Sequence, residues 1–201
     1  PMIGSCLFPY LFTSFQTRYP HLTLNVCEER SYSAHRMIEQ EELDLGIIIL
    51  PQHNPGTLET FFLTRQEILL AVAKSHRLAS ASAVPFADLR QEKFILFKSN
   101  FFQRHAILQR CQDEGIEPEI VFNSSQIETV KSLVSHGVGI SFLMQMALEG
   151  QPGIAGISLY PPIHVNIGLA WKKGRQLSPS AKAFINLVSA QTEEALTLKK
   201  C

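Results

Sequence analysis

The sequence predicts an α/β protein with mainly parallel sheets, arranged as two lobes. Three observations point there. Segments of strand character alternate with segments of helical period. Some strands are continuous apolar runs, the pattern of strands covered on both faces. The alternation also occurs twice, with a break across an Ala- and Ser-rich connector near residues 74–90. A length of 201 residues is enough to bury a core, as one large domain or two small ones.

The elements follow in order. "CLFPYLFTSFQTRY" is apolar on nearly every side (Cys6, Leu7, Phe8, Tyr10, Leu11, Phe12, Phe15), so a helix here must be covered on more than one face. This first helix starts within residues 1–5. Leu22, Leu24 and Val26 alternate with polar neighbours, which predicts a half-buried strand over Leu22 to Glu28. Ser31 or Ser33 then caps a helix carrying Ala34, Met37 and Ile38 on one face. "LDLGIIIL" (Leu43 to Leu50), closed by Pro51, reads as a strand buried on both faces. "LETFFL" and "EILLAVA" read as two further strands, the second spanning Glu67 to Ala73. His76 to Arg90 is a connector with a helical turn near Phe86 to Leu89. The alternation then restarts: strand Phe94 to Phe97, helix Phe101 to Glu114, turn at Gly115, strand Glu119 to Phe122, helix Gln126 to His136, strand Val138 to Leu143. A short helix over Gln145 to Leu148 and strands near Ile154 to Tyr160 and His164 to Trp171 follow. The last helix takes Ser178 as N-cap and Pro179 as its first residue.

The totals exclude several classes. Hydrophobic residues make up 45% and charged residues 18%, which is globular and not disordered. Eighteen Lys plus Arg balance eighteen Asp plus Glu, and no basic run stands out. Phosphate contacts supply most nucleic-acid affinity, so these residues do not hold DNA or RNA unaided. Cys6, Cys27, Cys111 and Cys201 form no C-x-x-C, and none has metal-ligand spacing, so neither a metal nor a cofactor is expected. Scattered free cysteines point to a reducing, cytoplasmic compartment. No 18-residue apolar stretch and no secretory signal is present, and a first residue of Pro1 implies a missing upstream piece. "LVSHGVGISFL" carries Gly137 and Gly139, but it runs helix, turn, strand. A phosphate loop runs strand, turn, helix, so Gly137 reads as the residue ending a helix.

Five stretches, in order and spacing, resemble the effector-binding domain of LysR-type transcriptional regulators. They are "LFPYLFTSFQTRYPHLTLNV", "IEQEELDLGIII", "ILLAVAKSHRLA", "LVSHGVGISFL" and "IGLAWKKGRQLSPSAKAFINLV". Together they cover essentially the whole chain. Glu41 departs from the family's usual Gly, and Met144 from a frequent Pro. The chain begins just after the point where the family's first strand would lie. The resemblance implies a fold like that of a type 2 periplasmic binding protein: two lobes joined by crossover strands, Glu67 to Ala73 and Ile167 to Trp171, with a small ligand in the cleft. It places lobe I at 1–72 plus 170–201 and lobe II at 73–169. The winged helix-turn-helix lies outside this chain, so the resemblance implies DNA binding by a longer protein, with a homodimer expected and a tetramer in the full-length protein.

Ligands of such sheets sit beyond the strand carboxyl ends, where helix N-termini converge. Four places qualify. Met2, Gly4 and Ser5 open the first helix, with Ser5 read equally as a cap. Ser31, Tyr32 and Ser33 open the second, and the resemblance places a ligand-contacting hydroxyl at Ser31. Lys98, Ser99, Asn100 and Phe101 follow the first strand of lobe II; Lys98 reads either as neutralising a carboxylate or as a plain exposed lysine. Ser124, Ser125 and Gln126 precede the helix at Ile127, one serine being its N-cap. Hydroxyls and helix N-termini suit a small anion. Met2, Phe101 and Phe142 can form an apolar wall, Phe142 reading equally as core.

No G-x-S-x-G or H-E-x-x-H appears, and neither Cys27 nor Cys111 has a base nearby in sequence, so no enzyme is expected. Glu41/Glu42 and Glu193/Glu194 read as solvated helix faces. The expected function is effector sensing for a transcription regulator, with a periplasmic-type solute-binding protein for a small anion as the alternative. Leu7, Tyr10 and Leu11 with Ile127, Val130 and Val134 are the expected contacts of an antiparallel homodimer.

Overall fold

The computed structural model of the chain describes residues 2–51 and 56–195, with side chains to residue 190. Pro1, Cys201 and the side chains of Glu193 and Glu194 lie outside the described residues. In chain order the elements are α1 (Met2–Arg18), α2 (Ser31–Glu39), β1 (Gly46–Ile49), β2 (Leu58–Ala73), β3 (Ala83–Pro85), a 3-10 turn (Phe86–Leu89), β4 (Lys93–Phe97), α3 (Phe102–Asp113), β5 (Glu119–Ser124), α4 (Ile127–Ser135), β6 (Ser141–Met144), α5 (Gln145–Leu148), β7 (Ile154–Tyr160), β8 (Ile163–Lys172) and α6 (Pro179–Ala195).

The chain falls into two compact units. The first takes the described residues of Pro1–Arg65 and Val165–Lys199, and the second takes Gln66–His164. The expected lobe boundaries stood at 72/73 and 169/170. The change-over instead falls inside β2 and at the start of β8, the two strands through which the chain crosses.

Unit 1 is a sheet with helices on both faces. Gly46 to Ile49 of β1 pair antiparallel with Ala170 to Ile167 of β8. Leu11 and Phe15 of α1 meet Leu63, Leu169, and Phe184, Leu187 and Val188 of α6 in one buried cluster. Ala34 and Ile38 of α2 cover Ile48, Leu58 and Ala170 in another. The expected burial of β1 on both faces holds for Ile48, which is 0% exposed; its neighbours are half-buried. Helix α1 runs through Pro9, whose missing N–H removes one rung of the helix ladder.

Two expectations about the first 73 residues fail. Leu22 to Glu28 is no strand: the segment carries no ladder among the described residues. Leu22 and Leu24 still pack inward on the first cluster, while Val26 is 51% exposed. Alternation records which side chains face the core, and it is silent about a partner strand. The second failure is the pair "LETFFL" and "EILLAVA", which form the single 16-residue strand β2. No Gly, Pro or Asn interrupts it, so nothing bends the chain between them.

Unit 2 carries parallel and antiparallel pairing together. β4 and β5 run parallel with a bulge between Phe94 and Ile95, and Phe94 also bridges Ile140 in parallel. β3 runs parallel to β7. β2 pairs antiparallel with β6 and β7, because the crossover strand enters this unit against the direction of its neighbours. β3 lies inside what reads from sequence as a plain connector. Phe86, Phe94 and Phe142 form the aromatic centre, with ring centroids 5.9 and 5.3 Å from Phe142. Phe142 is therefore core, 1% exposed.

The glycine stretch resolves at atomic level. Gly137 has φ 73°, its N–H donates to Val134 O, and the N–H of Val138 donates to Leu133 O. Those two bonds form the Schellman ending of α4. A Cβ on Gly139 would stand 2.5 Å from the Lys93 carbonyl oxygen, so glycine there admits the β4 backbone. No helix among the described residues is long and apolar enough to cross a membrane.

Candidate functional site

Unit 1 gathers its polar groups where β1 ends and α2 begins. Ser31 is the first residue of α2, and Arg30 is the N-cap. Neither Ser31 nor Ser33 caps the helix as expected. The Ser31 hydroxyl accepts the Ile49 N–H at 3.1 Å, which ties the start of α2 to the carboxyl end of β1. Tyr32 stands 85% exposed beside it, and Ser33 is half-buried. At the start of α1, Met2 is buried and Ser5 exposed, with the Ser5 hydroxyl donating to Met2 O at 3.1 Å. Gly4 has the Glu28 carboxylate against it: a Cβ would meet Oε1 at 2.8 Å. The segment before α2 and the start of α1 therefore adjoin.

Unit 2 gathers a second set at the carboxyl ends of parallel strands β4 and β5, where α3 and α4 start. The Lys98 N–H donates to Ser124 O at 3.0 Å and joins the two loops. Lys98, Ser99 and Asn100 are exposed. Phe101 is buried and stacks on Phe97 with centroids 4.8 Å apart, so it supports the loop from inside. Gln126, not a serine, holds the N-cap of α4. Ser124 is 7% exposed; its hydroxyl accepts the Gln126 N–H at 3.0 Å and donates to Gln126 O at 3.3 Å. That closes Ser124 into a turn, whereas Ser125 is half-buried and Gln126 exposed.

Sequence reasoning overlooked two residues at these edges. Glu28 is one, and its signal was a pair of carboxylates placed just before a helix start. Arg104 is the other. A cation in the first turn of α3 opposes the helix dipole. It is held there by bonds to Phe97 O at 3.0 Å and to Asn123 Oδ1. Among the described residues no three His, Cys, Asp or Glu side chains gather as a metal site. Cys111 is 2% exposed, and burial pushes its thiol up to about 11, far from a reactive thiolate.

The expected dimer contacts divide. Leu11, Val130 and Val134 are 4%, 0% and 0% exposed, so they serve the core of their own units and not an interface. Leu7 and Ile127 are half-buried and Tyr10 is exposed. Tyr10 borders an open groove of about 520 Å³ with Thr13, Ser14, Thr17, Arg18 and Leu187. The groove holds none of the expected ligand residues, and its threonines bond back to the helix, Thr13 to Pro9 O and Thr17 to Thr13 O. Its chemistry is that of a helix face rather than a small-molecule site.

Against known proteins, the family model described as the LysR substrate binding domain matches residues 1–193. The uncharacterised HTH-type transcriptional regulator YwbI of Bacillus subtilis (strain 168) is 30% identical over 188 residues, which are 92% of this chain and 62% of that protein. The chain thus spans less than two thirds of the length of that relative. The effector binding domain of QuiR in complex with shikimate superposes with a TM-score of 0.81 at 23% identity, over 96% of this chain and 93% of that one. The CcmR regulatory domain of Synechocystis PCC6803 in complex with 2-PG gives 0.85 at 21% identity, over 95% and 93%. These two likenesses establish the fold.

Proposed function

The chain belongs to the family of LysR substrate binding domains, and from that premise we propose that it senses a small anionic metabolite on behalf of a longer transcription regulator. One observation carries the chemistry. Two helix N-termini and the exposed Lys98 meet at the carboxyl ends of parallel strands β4 and β5. Positive helix ends and an ammonium in one place attract an anion. Ser31, tied to the end of β1, supplies a fixed hydroxyl. Within unit 2, Ser99, Asn100, Phe101, Ser124, Ser125 and Gln126 complete the proposed surroundings, Phe101 and Ser124 as supports; within unit 1, Met2, Gly4, Ser5, Tyr32 and Ser33 are proposed by themselves as the ligand-facing residues beside Ser31. The likeness to domains solved with shikimate and 2-PG supports a small-molecule effector.

The regulator's DNA-binding part is a winged helix-turn-helix outside these residues. The effector acts by binding one state of the regulator more tightly than another, since equal affinity shifts nothing. The sites assemble no nucleophile with a base, and the relatives are regulators, so no reaction is assigned. The α1 face at half-buried Leu7 and exposed Tyr10, and half-buried Ile127 at the start of α4, are proposed as homodimer contacts, and the protein as cytoplasmic.

A thermal-shift screen tests the reading, with acetate, propionate, lactate, quinate, benzoate and inorganic phosphate as probes. A probe at a hundred times its dissociation constant stabilises the native state by about 2.7 kcal/mol. Ser31→Ala and Lys98→Gln should each shrink the shift of the best probe. A panel without any shift rejects the small-anion sensor.

A further inference from the structure

Two cations at one corner of unit 2 have no acid to answer them. Elsewhere in this unit Arg77 pairs with Glu92 at 2.7 Å, Arg110 with Glu114 at 3.3 Å and Lys131 with Glu128 at 3.0 Å. Glu128 is the acid in the first turn of α4, so that turn offers no spare carboxylate. Lys98 and Arg104 form no ion pair among the described residues.

The way Arg104 is held matters as much as its charge. Its Nη1 donates to Phe97 O at 3.0 Å and to Asn123 Oδ1, so it grips the carboxyl ends of β4 and β5. Phe97 directly precedes Lys98, which brings the two cations to the same strand end. Nε and Nη2 of Arg104 donate to no group among the described residues. Those two nitrogens form the planar edge that takes a carboxylate or phosphate in two parallel bonds. Arg104 is half-buried, and its two anchoring bonds orient that edge before anything binds. The placement also costs stability, because a cation in the first turn of α3 faces the positive helix end. A neutral donor would serve a plain staple without that cost. Once an anion arrives, the helix end and the guanidinium act in the same direction.

We propose that the Nε–Nη2 edge of Arg104 is a binding point for an oxyanion and sets the charge of the effector. Arg104 takes one oxyanion group and Lys98 answers the remaining charge, so the effector is doubly charged, a dicarboxylate or a phosphomonoester. The inference rests on the sensor reading above, names the charge class of its effector, and uses residues of unit 2 alone.

The test is titration calorimetry on this chain at neutral pH and fixed ionic strength, since salt screens such pairs. Propionate is matched with succinate, and benzoate with phenyl phosphate, which separates the dicarboxylate from the phosphomonoester. The doubly charged member of one set should bind at least about tenfold more tightly, the size of a well-placed charge-assisted contact. Arg104→Gln removes the charge and the two-pronged edge, and should bring that ratio to within about twofold while the singly charged probe keeps its affinity. Arg104→Lys keeps the charge without the edge and should retain only part of the preference. Thermal melts check that each variant is folded, and where Arg104→Gln is not, Arg104→Lys decides: an unchanged ratio overturns the proposal. So does a parent protein without preference, a preference that survives Arg104→Gln, or an equal loss for both members of a set, which marks Arg104 as a staple only. Each of those results leaves the sensor standing. If no anion binds, both fall.

Discussion

Glu41 shows how a single residue departs from its family pattern and is still held. It has φ 64°, a left-handed conformation that favours glycine, which explains the family's usual residue there. Its carboxylate pairs with Lys172 and lies 4.0 Å from Arg175, which also bonds Asp44 at 2.8 Å. The hydrogen bond and then the charge of Lys172 hold the Glu41 carboxyl below its ordinary 4.5. A lowered folded-state value contributes stability above the unfolded value and loses it as pH falls through the folded one. Melting temperatures of the parent and Glu41→Gln should therefore differ slightly near neutral pH and converge as acid carries the pH below the folded-state value, which lies under the ordinary 4.5. Cys111 gives a second outcome at this scale. With its thiol at about 11, alkylation at mild alkaline pH should run on the order of a hundredfold slower than for an ordinary thiol, with exposed Cys27 labelled first. From sequence, Cys111 was legible as an unreactive thiol with no base nearby. The partners of Ser31 and Glu28 were not, because Ile49 and Gly4 lie 18 and 24 positions away and no spacing rule links them.

At the scale of elements, local patterns told most where the structure is local. Helix α4 and its ending were legible because the Schellman bonds join residues three and five apart. The cap at Ser178 was legible for the same reason: its hydroxyl accepts the Ala181 N–H at 3.2 Å. The serine caps expected at α2 and α4 were not found: the Ser31 hydroxyl is taken by the distant Ile49 N–H, and the Ser124 hydroxyl by a local turn with Gln126. The two glycines after α4 should behave differently. Gly137→Ala meets nothing within 4 Å but is strained by its φ, so it costs about 1 kcal/mol. Gly139→Ala drives a methyl into the Lys93 carbonyl and should cost about 1–3 kcal/mol in urea unfolding. Equal losses would mean that the close approach of β4 to Gly139 is unimportant. The stretch before α2 was misread because pairing depends on a neighbour that the stretch itself does not encode.

For the whole molecule, the two-unit plan was readable from the repeated alternation and the connector near residues 74–90. The directions of the strands were less so. Crossover strands pair antiparallel with their unit 2 neighbours, and an apolar run looks alike in either direction. The proposed dimer belongs at this scale as well. Analytical ultracentrifugation at micromolar concentration should give a dimer, and Tyr10→Lys should shift it towards monomer. A monomeric parent protein would remove α1 as a contact. The burial of Leu11 was beyond sequence reasoning, since a helix apolar all round does not announce which stripe meets its own fold, whereas Val130 and Val134 form the single buried stripe of the amphipathic α4.

Unit 1 takes strands and helices from both sides of unit 2 in the chain, and this has a consequence for biosynthesis. Leu11 and Phe15 leave the ribosome well before Phe184, Leu187 and Val188, the residues that cover them. Translation of the roughly 170 intervening residues takes about 8–34 s. During that time unit 2 has all its residues and can close, while the greasy first helix waits uncovered. The nascent chain therefore carries a transient sticky segment that a chaperone would find, and a premature stop in the last quarter would leave that segment exposed for good.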